Sequence, residues 1–194
     1  MTDSLILASA SPRRAQLLRQ LEVDFEVVPA DINEVHYEHL TAGELCQMNA
    51  YYKCRHVSKK FPDAVVLGVD TLVTLNGKVY GKPKNLREAQ TMLRELSGKT
   101  HEVMSGVCLI HLRTHQQKIL VEKTSVKFHK LDATEIRDYL SRINPLDKAG
   151  GYAIQEHGDS IVEKIEGSYS NVVGMPMERL QKELAEFGVN YAMA

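Results

Sequence analysis

The chain has 194 residues, with 24 Lys and Arg against 25 Asp and Glu, so its formal net charge is −1. Charged residues make up 25% and hydrophobic ones 43%, which excludes a disordered, highly charged chain and a low-complexity one. The cancelled charge also excludes a broadly basic surface of the kind that binds nucleic acid.

Ser4 to Ala8 (SLILA) is a short apolar run that reads as a buried strand. Ser9, Ser11, Pro12, Arg13 and Arg14 follow at once, and Leu17, Leu18 and Leu21 then share a helical face. Ser11 is a natural N-cap with Pro12 at the first helical position, so the opening unit reads strand, polar turn, helix. Residues 23–30 (VDFEVVPA) read as a second strand, 31–38 as a polar loop and 43–60 as a helix. Ala64 to Leu67 is fully apolar and leads to Gly68-Val69-Asp70. A strand continues over Leu72 to Leu75, and Asn76-Gly77 is a two-residue hairpin signal before Lys78-Val79-Tyr80. Asn85 to Leu96 reads as a helix capped by Asn85 and stopped by Ser97-Gly98. Residues 101–112 and 118–128, rich in Val, Ile and Thr, read as long paired strands. Asp132 and Glu135 form a capping box that opens a helix reaching Ile143. Gly150 to Ile154 and Ile161 to Ile165 read as short strands, and Pro176 opens a last helix that Gly188 stops.

Strands and helices alternate, and at least one hairpin is antiparallel, so the fold class is α/β with a mixed sheet. No repeat or linker divides the chain, and residues 1–194 read as a single domain. With no Trp and only 8 Tyr and 4 Phe, its core must be mostly aliphatic. Cys46, Cys54 and Cys108 show no metal or redox spacing, which fits thiols in a reducing cytoplasm. An acid precedes the first apolar run and Arg follows it, the reverse of a secretory signal. No apolar stretch approaches the length of a membrane span and no basic patch stands out, so neither membrane nor nucleic acid is expected as a partner.

Ser9, Ser11, Arg13 and Arg14 put two hydroxyls and two guanidiniums at a helix N-terminus, where free N–H groups and the dipole attract anions. Cations there oppose the dipole unless an anion is bound, and phosphate is the usual guest. Asp70 follows an apolar strand, a placement suited to holding a metal or activating water. Alone it reads equally well as a turn former. Glu34 is a loop carboxylate that matters only if the fold brings it beside Asp70; paired with phosphate oxygens, two carboxylates are a home for Mg²⁺. Lys82 sits between Gly81 and Pro83, which restrict its backbone. Lys53 and Lys148 say nothing alone, and Gln155 suits reading an amide-bearing base edge or orienting water. Scattered His residues argue against zinc, and the P-loop, dinucleotide-binding and nucleophile-elbow fingerprints are absent. The inventory suits a phosphate-bearing substrate with a divalent ion.

Taken in order, Ser9–Arg14, Ile32–Glu34, Lys53, Gly68–Thr71, Gly81–Pro83, Leu96–Val107, Pro145–Gln155 and Gly167–Pro176 resemble the Maf family of nucleotide pyrophosphatases. The resemblance spans nearly the whole chain. It implies a two-lobed α/β fold similar to the inosine triphosphatase (Maf/Ham1) fold, with a central cleft. It implies hydrolysis of a nucleoside triphosphate to the monophosphate and pyrophosphate, a divalent cation (Mg²⁺ or Mn²⁺) and a homodimer. By resemblance Asp70 is the proton acceptor, and Arg13, Thr71 and Gln155 discriminate substrates. Gln155, with Pro12 where the 7-methyl-GTP subgroup carries Trp, points to the dTTP/UTP subgroup. The alternatives are 7-methyl-GTP hydrolysis and a non-catalytic nucleotide-binding regulator of septum formation. One stretch departs from the family: Met48-Asn49-Ala50 stands where an Arg-Leu-Ala run is usual, and Cys54 replaces Ala after Lys53.

Overall fold

The structure is a computed structural model describing residues 4–189; residues 1–3, which carry the early acid Asp3, and 190–194 lie outside it. The opening apolar run forms β1 (Leu5–Leu7), and the turn after it leads into α1 (Pro12–Arg19). β2 (Phe25–Val27), α2 (Ala42–Ser58), β3 (Val65–Leu75) and β4 (Lys78–Tyr80) follow. Then come α3 (Leu86–Leu96), β5 (Thr100–His111), β6 (Gln116–Phe128) and α4 (Ala133–Arg142). Short 3-10 turns lead to β7 (Val162–Glu166), α5 (Tyr169–Val173) and α6 (Met177–Glu186).

The strands form one mixed sheet in the order β2-β1-β3-β5-β6-β7, with β4 also paired to β3. β1 runs parallel to β2 and β3, and the remaining pairs are antiparallel. Asn76 and Gly77 both take positive φ, 52° and 80°, the backbone a two-residue hairpin of this hand demands. The Asp132–Glu135 capping box forms, and Asn85 caps α3 through the Glu88 N–H.

Three local expectations are corrected. Ser11 occupies the N-cap position, but its hydroxyl makes no capping bond; its N–H instead donates to Ser9 Oγ at 3.2 Å. Residues 150–154 are not a strand, because Gly150 and Gly151 both adopt left-handed φ and the Gly150 N–H donates to the Gly81 carbonyl. Asp70 is not at a strand end but inside the 11-residue β3.

β3 positions the site. β5 covers one of its edges from Val65 to Thr74. On the other edge β1 pairs only with Val65–Leu67 and β4 only with Val73–Leu75. Residues 68–72 are therefore left without a strand neighbour there among the described residues. Packing also changes along the strand. Val65, Leu67 and Val69 join a core with α1 and α6, whereas Val73 and Leu75 join one with α3 and α4. A cleft opens where these two packings part.

On the opposite face, α2 presses onto Gly68 and Gly106. A Cβ on Gly68 would lie 2.3 Å from the Ala50 carbonyl oxygen, and one on Gly106 would lie 2.3 Å from the Cys46 backbone. Only glycine permits so close an approach. Side chains alternate across the strand, so Asp70 projects on the α2 face and Thr71 on the other.

Candidate active site

The cleft has a volume of about 430 Å³ and brings together segments that are far apart in sequence. All the residues singled out from the sequence line it: Ser9, Ser11, Arg13, Arg14, Glu34, Lys53, Asp70, Thr71, Lys82, Lys148 and Gln155.

Asp70 is 4% exposed, and its Oδ1 lies 2.6 Å from Lys53 Nζ. Lys53 also reaches Glu34 Oε1 at 2.7 Å, so one ammonium joins the loop carboxylate to the strand carboxylate. Burial alone would raise the pKa of Glu34. Lys53 outweighs it, helped by Lys82 and Arg14, and holds Glu34 below the usual carboxylate range.

The two neighbouring arginines do different things. Arg14 is used up by the protein: Nε donates to the Gly174 carbonyl at 2.9 Å, Nη1 to the Val69 carbonyl at 2.9 Å, and Nη2 to Thr71 Oγ1 at 2.9 Å. Burial lowers its pKa, partly offset by Asp70 and Glu34. Arg13 instead reaches across the cleft to Asp147, with Nη1–Oδ2 at 2.7 Å. Asp147 also accepts from Lys148 Nζ at 2.9 Å, and Lys148 lies 3.2 Å from Glu156. Burial would raise the Asp147 pKa, but Lys148 and Arg13 outweigh it and hold it low. Lys82 and Gln155 are exposed at the cleft and make no hydrogen bond or ion pair within the described residues.

Thr71 Oγ1 shares a hydrogen bond with Ser105 at 2.9 Å and donates to the Gly174 carbonyl at 3.2 Å. The Val69 carbonyl, in the unpaired stretch of β3, takes Arg14 from one side and Lys53 from the other at 3.4 Å. Burial, and then Asp70, pushes the Cys46 thiol up to about 12, so it stays protonated and is no nucleophile at neutral pH.

The family model described as Maf-like protein matches residues 4–187. The chain belongs to the Maf family. It is 45% identical to the dTTP/UTP pyrophosphatase of Acetivibrio thermocellus, with 96% of each chain covered. It is 43% identical to the dTTP/UTP pyrophosphatase of Syntrophus aciditrophicus, covering 97% of this chain and 92% of that one. Among solved structures, a HAM1 protein from Coxiella burnetii matches 95% of this chain and 99% of its own with a TM-score of 0.55. At 18% identity that likeness bears on the fold alone, and it supports the expected Maf/Ham1-like α/β architecture. No helix among the described residues is long and apolar enough to cross a membrane.

Three groups of this Maf cleft were given no role by the sequence. Asp147 lies inside the Pro145–Gln155 stretch, but its place between Arg13 and Lys148 is not announced by spacing. Asn49 is fully buried one helical turn before Lys53, and its Nδ2 lies 3.4 Å from Asp70 Oδ2. The i, i+4 spacing of Asn49 and Lys53 is a signal that could have found it once Lys53 was chosen. Tyr152 is buried against His101, with its hydroxyl 2.8 Å from His101 Nε2, and forms part of the cleft wall.

No group of three or more His, Cys, Asp or Glu gathers around a common point among the described residues. Glu34 and Asp70 are drawn together on Lys53, which offsets one of their two negative charges, as Asp147 and Glu156 are on Lys148. That donor set fits a hard divalent cation that shares its coordination with phosphate oxygens better than one held by protein alone.

Proposed function

We propose that this protein is a nucleoside triphosphate pyrophosphatase acting on dTTP and UTP, releasing the monophosphate and pyrophosphate. The observation that carries the reading is the buried Lys53 bridge between Asp70 and Glu34, set in a cleft with Arg13, Lys82 and the N-terminus of α1. Relatives at 41–45% identity that bear the name dTTP/UTP pyrophosphatase support the substrate class.

Water adds to a phosphorus of the α–β anhydride, the bridging P–O bond breaks, and the oxygen it carried leaves with the departing fragment. Asp70 accepts the proton that the water loses, while Lys53 holds the Asp70 carboxylate in place through Oδ1. Arg13, Lys82 and the free N–H groups at the start of α1 bind the triphosphate oxygens and neutralise charge as the bond breaks. The triphosphate exchanges its oxygens for the Asp147 carboxylate now held by Arg13. Glu34 and Asp70 would hold Mg²⁺ or Mn²⁺, which supplies Lewis-acid charge neutralisation and a more acidic water when bound. Gln155, exposed on the cleft wall, offers one donor and one acceptor group to the imide edge of thymine or uracil. Arg14 acts as scaffold, tying α1 to β3 and to the turn at Gly174.

The test is a nucleotide panel, comparing kcat/KM for dTTP, UTP, dCTP and 7-methyl-GTP with pyrophosphate as the measured product. dTTP and UTP lead by at least tenfold, because the Gln155 amide, once covered by a base, is left unpaired by an edge other than the imide. Preference for 7-methyl-GTP would overturn the base assignment, and tight binding without turnover would favour the regulator.

A further inference from the structure

Glu34 stands on a segment with no regular structure between β2 and α2. From residue 29 to 36, the described main chain makes hydrogen bonds through one residue, Val35. Its N–H donates to Asn49 Oδ1 at 2.8 Å, and its carbonyl accepts from Asn49 Nδ2 at 3.3 Å. The same Nδ2 faces Asp70 Oδ2 at 3.4 Å. A side-chain amide has two N–H groups and one carbonyl, so these three bonds use both of its donors. Asn49 is wholly buried, where an amide is costly unless it is satisfied.

From this we infer that Asn49 is a positioning residue, which fixes the Glu34 segment against α2 and orients the Asp70 carboxylate for turnover. The inference rests on the hydrolytic reading of the site. Lys53 alone cannot do this work, because its flexible ammonium follows either carboxylate, whereas the planar amide fixes a main-chain position.

The experiment uses the full chain with Asn49→Ala, which loses all three bonds without adding charge, and Asn49→Ser, which keeps one short hydroxyl in place of the amide. Steady-state kinetics with dTTP and Mg²⁺ are combined with amide hydrogen exchange at Val35. Asn49→Ala loses protection at Val35, and its kcat per folded molecule falls about 10- to 100-fold, as for partners that orient ligating side chains, while KM stays within about threefold. Asn49→Ser falls in the same direction by less. A folded Asn49→Ala protein with unchanged kcat overturns the inference. A fall confined to thermal stability, with kcat per folded molecule intact, marks a purely structural residue and overturns it too. Should Asn49→Ala not fold, the kcat of Asn49→Ser decides in the same way. A wild-type protein that releases no pyrophosphate overturns the hydrolytic reading, visible before any substitution is made.

Discussion

The Lys53 ammonium and the Asp70 carboxylate meet at 2.6 Å, with the two side chains 11% and 6% exposed. They come from different elements, α2 and β3, and they meet because glycines at 68 and 106 let the helix sit directly on the sheet. The pair thus ties the packing of α2 to the chemistry of the cleft.

Removing Lys53 would leave the buried Asp70 carboxylate without its direct ion-pair partner. Lys53→Met therefore lowers unfolding free energy by about 3–5 kcal/mol, the usual penalty of a broken buried pair. Urea denaturation at pH 7 measures it, and an unchanged midpoint would show that the bridge contributes nothing to the fold.

The adjacent arginines separate cleanly under the same substitution. Arg14→Lys cannot supply the fan of donors that reaches Gly174, Val69 and Thr71. It costs about 2 kcal/mol or more, through buried acceptors left unmatched. Arg13→Lys breaks a partly exposed pair with Asp147 and costs below about 1 kcal/mol of stability. Its KM for dTTP rises instead. Thermal melts and steady-state kinetics on the two variants distinguish the roles.

Gly68→Ala would place a methyl 2.3 Å from the Ala50 carbonyl oxygen and 2.8 Å from Cys54. Backbone cannot give way cheaply, so α2 shifts and the variant loses about 1–3 kcal/mol. Because Lys53 and Asn49 ride on that helix, kcat falls along with the melting temperature. A melt that drops with kcat preserved would show that the helix position is not critical.

How much of this was visible beforehand follows from the physics of each signal. Capping boxes, the Asn76-Gly77 hairpin and the apolar runs are local, and the elements they announce are present. Residues 150–154 differ from the expected strand because the run looks apolar while Gly150 and Gly151 impose left-handed turns. The short helix α5 has no periodic stripe to reveal it; Ser168, whose side chain accepts the Asn171 N–H, is its one local mark. In the site, residue types pointed to Asp70, Lys82 and the Ser-Pro-Arg-Arg turn. Pairing was invisible, since it depends on contacts such as Arg13 with Asp147, 134 positions apart. A balanced net charge likewise concealed that cations in the cleft are almost all matched to a carboxylate or a carbonyl.

Stability falls with acid through His101. Burial lowers its pKa to about 4 from the ordinary 6.5, so the folded protein keeps it neutral while an unfolded chain protonates it first. Its cost is absent above pH 6.5 and grows as pH falls from 6.5 to 4, reaching about 3 kcal/mol from the 1.36 kcal/mol per pKa unit. Unfolding free energy measured between pH 7 and 4.5 shows this slope in the wild type, and His101→Gln flattens it. An identical slope in the variant would assign the acid sensitivity to other groups.

The most direct measurement is pyrophosphate release from dTTP with Mg²⁺ by the wild type and by Asp70→Asn. The substitution keeps the shape of the side chain and leaves Lys53 paired with Glu34, while removing the proton acceptor. The wild type forms one pyrophosphate per thymidine monophosphate, and Asp70→Asn slows by about 10²- to 10⁴-fold with its circular dichroism unchanged. Turnover by Asp70→Asn at the wild-type rate, or orthophosphate in place of pyrophosphate from the wild type, would contradict it.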